Sequence, residues 1–153
     1  MQMILRTGIT GFYWRTQLPE FPFADFKRMA YACAIPCGYN VTSTSERGVT
    51  PTFHTAALES PDDRVHVLGH SIFPIFAFAD PREDYLCELT FRDIKTIADA
   101  LIQMFPDVII ATLDDLSKPI TKTDLEKLDR AEIEQVKYWK PATIGELAFN
   151  WWD

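Results

Sequence analysis

Three histidines, three cysteines and several pairs of adjacent acids are the residues of this chain that carry chemistry. His66-Val-Leu-Gly-His70 has the four-residue spacing of a two-histidine metal site, a spacing that works when both imidazoles share one face of a helix. Here Arg64-Val-His-Val-Leu68 alternates like a strand, Gly69 interrupts it and no glutamate follows the first histidine, so the pattern points to structural imidazoles. Cys33-Ala-Ile-Pro-Cys37 has three residues between its thiols, not the two of a redox or zinc pair, and Cys87 makes the number odd, which suits free thiols. Nucleophilic catalysis needs a nucleophile beside a base that a third group orients. Cys33, Cys37, Ser71 and the histidines are candidates, yet no Gly-x-Ser-x-Gly elbow frames any of them. The acid pairs Asp62-Asp63, Glu83-Asp84 and Asp114-Asp115 diverge on any regular element and read as solvated turns. A small hydrolase or metal-dependent enzyme using His66, His70 and a cysteine stands as the alternative reading. No cofactor or metal is expected.

The elements that position these residues belong to one domain of 153 residues. A hydrophobic content of 47% with 24% charged residues gives enough apolar surface for a packed core and no case for disorder. The richest apolar run, Ile72 to Ala79, is far too short for a membrane helix, and Met1 to Gly8 lacks a secretion-signal pattern, so a cytoplasmic protein is expected. Charge is uneven. Residues 1–58 hold three acids against five bases, while the remainder of the chain holds 19 acids against 10 bases. That balance argues against a nucleic-acid partner and favours a basic protein partner through steering.

Residues 3–7 read as a first strand and Phe12-Tyr-Trp14 as a short aromatic element. Phe23, Phe26, Met29, Ala30 and Cys33 recur at helical spacing and predict a helix over 23–34, stopped by Pro36 and Gly38. The Ser/Thr-rich stretch 38–55 reads as a long loop or weak hairpin without a phosphate-cradling pattern, with a strand over 50–58. Strands follow at 64–68 and 72–79, Pro74 pushing the latter's first half toward an edge, and Tyr85 to Leu89 is expected to pair back across a charged turn. Thr90 is expected to cap a helix whose stripe runs from Phe91 to Phe105. Residues 108–112 read as a buried strand, 114–119 as a loop, and Thr121 or Thr123 as the start of a charged helix to about Arg130. Residues 131–139 fit either period, with a strand favoured over their last half. The irregular mixture implies an α+β fold, a mixed and mostly antiparallel sheet packed against two or three helices.

Three of the four tryptophans, Trp139, Trp151 and Trp152, lie in the last fifteen residues, and each large aromatic can bury on the order of 150 to 250 Å². Thr143 with Glu146 suits the start of a final helical turn, with Ile144, Leu147, Ala148 and Trp151 on one face. This end reads as a docked clasp. Tyr138-Trp-Lys-Pro141, Thr143-Ile-Gly-Glu146 and Phe149-Asn-Trp-Trp-Asp153 resemble the ending of small bacterial immunity proteins, partners of polymorphic and contact-dependent inhibition toxins. The resemblance covers about a tenth of the chain. It implies a cytoplasmic protein that neutralises a cognate toxin domain by tight binding, carries no catalytic residues, and uses Trp139, Gly145, Phe149, Asn150 and Trp152 structurally. Many such toxins are nucleases with basic clefts, which carboxylates can fill in place of phosphates. The acids expected to contact the partner are Asp62, Asp63, Asp80, Glu83, Asp84, Asp114 and Asp115, with Tyr85 as an aromatic anchor. A structural or regulatory subunit is a third class the sequence leaves open.

Overall fold

The central strand pair explains the architecture. A computed structural model describes residues 5–12, 19–47, 51–82 and 89–152. Within them β1 (Asn40–Ser45), β2 (Phe53–Glu59), β3 (Arg64–His70), β4 (Ile75–Ala79) and β5 (Phe91–Arg92) form an antiparallel meander. β6 (Ile109–Ile110) runs parallel to β4 beside its first residues, on the edge that β5 uses further along. All five β4 residues are buried, because both faces of this strand are covered. Phe76 and Phe78 face one core, with Val65, Val67, Ala56 and Leu58. Ile75, Ala77 and Ala79 face the other, with Leu68 and Phe53. The expected α+β class is what the chain adopts, a mixed and mostly antiparallel sheet, but with six α-helices among the described residues, on both faces, where two or three were expected.

On the first face lie α1 (Phe23–Ala34) and α2 (Lys95–Met104). Phe26 of α1 stacks on Phe76 at 5.6 Å, and its Ala30, Cys33 and Ala34 follow at helical spacing into the same core. The second face is covered by α3 (Leu113–Ser117), α4 (Lys122–Leu125), α5 (Arg130–Trp139) and α6 (Ile144–Ala148), together with the turn at Leu5–Phe12. No helix among the described residues is long and apolar enough to cross a membrane.

The helix over 23–34, the strands in 53–59, 64–70 and 75–79, and the short parallel strand at 109–110 lie where the sequence predicts them. Other elements differ, each for a physical reason. Leu5 and Arg6 are not in a strand, and Thr7–Thr10 turn; Phe12 is described, but Tyr13 and Trp14 lie outside the described residues. The hydroxyl-rich stretch takes the hairpin alternative and not the loop, as the edge strand β1 paired antiparallel with β2 and bulged between Val41 and Ser43. Phe91 belongs to a strand, not to the following helix. The Asp80 N–H donates to the Thr90 carbonyl, and the Arg92 guanidinium is held by Asp63, so helical geometry starts only at Lys95 and Thr90 is no cap. Asp114 and Asp115 lie in the first turn of α3, where the Asp115 N–H donates to the Thr112 hydroxyl, and not in a loop. Thr121, not Thr123, caps α4, which ends after one turn. Residues 136–139 are helical: Asp129 and Glu132 form a capping box that opens α5. The sequence is ambiguous there because Glu132, a carboxylate, takes an inward position where a hydrophobic residue would mark the period.

Candidate functional site

Two of the three histidines, His54 and His70, are built into the fold, whereas His66 is half-buried and its Nδ1 has no hydrogen-bond partner among the described residues. His66 and His70 both lie on β3, four residues apart and so about 13 Å along the strand, too far to share a metal or a substrate atom. His70 is fully buried; its Nε2–H donates to the Ile9 carbonyl at 2.7 Å, and its Nδ1 accepts the Ile72 N–H at 3.1 Å. Neither nitrogen is left for proton transfer. His54 is engaged in the same way, between the Phe21 carbonyl and the Arg47 N–H. Burial pushes the His70 imidazole down to about 4 and also lowers His54 and His66. Cys33 is buried with its thiol donating to the Ala30 carbonyl, and burial pushes it up to about 12, the opposite of an activated nucleophile. The Cys37 thiol donates to the Thr96 carbonyl on α2, and Cys87 lies outside the described residues. Among the described residues, no three His, Cys, Asp or Glu side chains come together as a metal-binding group.

The acids are distributed differently. Arg92 of β5 reaches Asp63 at 3.0 Å and Asp80 at 3.5 Å, and the Tyr39 hydroxyl donates to Asp63 at 2.7 Å. The Arg92 guanidinium and then this hydroxyl hold the Asp63 carboxyl below its usual range. On the next residue, Asp93 accepts the Leu113 N–H at 2.8 Å, which fixes the start of α3 beside β5. β5 and the residue after it thus tie the turn carrying Asp62 and Asp63, Asp80 just past β4, and the first turn of α3 carrying Asp114 and Asp115. Asp63 and Asp115 are partly covered and serve the fold, Asp115 through Lys118 at 3.5 Å. Asp62, Asp80 and Asp114 are exposed, Asp114 with 88% of its side chain free. Glu83, Asp84 and Tyr85 lie outside the described residues.

The C-terminal clasp is built around Asn150. Its side-chain N–H groups donate to the Thr10 and Leu147 carbonyls, while its Oδ1 accepts the Trp152 N–H. The Thr52 hydroxyl donates to the Ala148 carbonyl and accepts the Asn150 N–H, and the Thr52 N–H donates to the Asn150 carbonyl. Phe149 then packs edge-on against Phe53 at 5.7 Å and tilted against Phe91 at 5.9 Å. Trp152 is buried, whereas Trp151 lies beyond the end of α6, half-buried against Phe53 with the Arg82 guanidinium 4.2 Å over its ring. Between this clasp, α3 and β5 opens a cleft of about 690 Å³. It is lined by Phe91, Trp139, Phe149, Trp151 and Trp152, together with the charged Lys140 and Glu146. No sequence pattern signals it, because the walls come from three separated stretches. No protein family, curated protein or solved structure matches this chain.

Proposed function

We propose that this protein is an immunity protein, which binds a cognate bacterial toxin domain and neutralises it through a tight, partly electrostatic contact. The observation that supports this reading best is the run of acids that β5 gathers along one end of the sheet, with Asp62, Asp80 and Asp114 left exposed. A basic cleft built for nucleic acid is the complementary surface for such an edge. His54, His70, Cys33 and Cys37 are committed to backbone contacts, which agrees with a binding role for the exposed acids. The C-terminal string supports the same class through its resemblance.

Co-purification with the product of the adjacent gene at moderate salt tests the proposal. A stoichiometric complex is expected. In that complex the double reversal Asp62→Lys with Asp114→Lys slows association about tenfold at low salt and less at high salt. Association kinetics unchanged by the reversal, or recovery of the protein alone, would overturn the reading.

A further inference from the structure

We infer that the cleft at the C-terminal clasp is an anchoring site for an arginine side chain presented by a basic protein. Aromatic faces attract cations, and a planar, weakly hydrated guanidinium stacks on indoles better than an ammonium does. The protein already uses one such face, since Arg82 lies over Trp151. Trp139 is the complementary case, an indole that lines the cleft and is 38% exposed. Its ring is fixed before any ligand arrives. The Nε1–H donates to the Gln135 side-chain carbonyl at 3.0 Å, the plane lies within 2° of Trp152 at 6.2 Å, and Tyr138 meets it edge-on at 5.1 Å. An exposed aromatic held by three neighbours loses little freedom on binding, which is the property of an interface anchor.

Electrostatics select the sign of the occupant. Among the lining residues Lys140 and Glu146 cancel in formal charge. Beside them α3 adds Asp114 and Asp115 against Lys118, and Arg82 over Trp151 brings these side chains into balance. The sign is set by the ten-residue α5, which ends here, at Trp139, with the partial negative charge of its last carbonyls at the cleft. Lys140, forced into a left-handed conformation with φ of 51°, is the charge that works against a cationic guest. The inference rests on the immunity reading only for the source of the arginine; the cleft's own preference is measurable without a toxin.

The probe is N-acetyl-arginine amide, with neutral N-acetyl-citrulline amide as its isostere, titrated into the whole protein while the indole N–H resonances are followed by NMR. Arginine amide is expected to shift the Trp139 and Trp152 signals saturably, and citrulline amide is expected to leave them in place. Lys140→Glu should tighten the arginine complex about fivefold, as replacing a nearby positive charge by a negative one requires, and Trp139→Leu should abolish it. Lack of saturation with arginine, equal shifts with citrulline, or weaker binding in Lys140→Glu would overturn the inference. Any of these results would leave the acidic edge and its association test untouched, so the two proposals fail separately.

Discussion

Glu132 is fully buried, and its carboxylate accepts the Gly8 N–H at 2.8 Å, the Thr10 N–H at 2.9 Å, the Thr10 hydroxyl and the Asp129 N–H. A buried carboxylate survives when several donors converge on it, and here most of them come from the other end of the chain. His70 follows the same logic in its neutral form, since protonating Nδ1 would set a positive N–H against the Ile72 N–H that it now accepts. Its folded value of about 4 lies below the ordinary 6.5, so between those values the unfolded chain binds a proton that the folded one refuses. Stability from this group is therefore full above about pH 6.5 and falls as the pH drops toward 4, by about 3 kcal/mol in all. Urea unfolding at pH 7, 5.5 and 4.5 measures it. His70→Gln is expected to be less stable at pH 7 yet to lose most of the wild-type decline between pH 6.5 and 4.5; an unchanged decline would assign the effect to other groups.

Among the elements, α6 shows how a five-residue helix can be indispensable to its neighbours. Gly145 faces β5 and α3 so closely that an added methyl would stand 2.6 Å from Phe91 Cε2 and 3.0 Å from the Leu116 carbonyl. Gly145→Ala must move α6 away from a backbone oxygen that cannot yield, and a loss of about 1 to 3 kcal/mol is expected in chemical denaturation, typical of overpacking. A variant as stable as wild type would show that α6 slides freely on α3. Elements whose buried face is uniformly apolar are legible in the sequence, such as α1 with Phe26, Ala30 and Cys33 and the strand β4. Elements set by tertiary contacts are not: β5, which Asp63 and Asp80 hold through Arg92, and α5, whose inward Glu132 hides the helical period. The candidate site divides in the same way. Its acids are legible as charge, but nothing local separates exposed Asp62 and Asp114 from the partly covered Asp63 and Asp115. The aromatic string at the C-terminus is legible as a docked clasp, whereas the cleft exists only once residues 89–91, 113–117 and 139–152 meet.

At the scale of the whole molecule, the described ends of the chain are locked to each other and to the sheet. Asn150 bonds the Thr10 carbonyl across 140 residues, the Thr52 hydroxyl bonds Ala148 across 96, and Glu132 gathers Gly8 and Thr10 across more than 120. Contacts of such separation form late and are lost together, so the second core, with Phe53, Leu68 and Phe149, depends on the final residues. A chain ending at Ala148 loses the rings that meet Phe53, His70 and Phe91, and with them the donors that satisfy the Thr10 carbonyl and the Thr52 hydroxyl. Buried groups left in this way cost about 1 to 3 kcal/mol each, and the lost apolar contact adds more, which together approach the whole stability of a domain this size. The truncated chain is therefore expected to keep far-ultraviolet circular dichroism from β2 to β4 and α1, to lose its near-ultraviolet signal, and to unfold without a sharp transition. A sharp two-state transition with native near-ultraviolet intensity would mean that the sheet and α1–α2 core stand alone, and that the clasp serves only the binding surface.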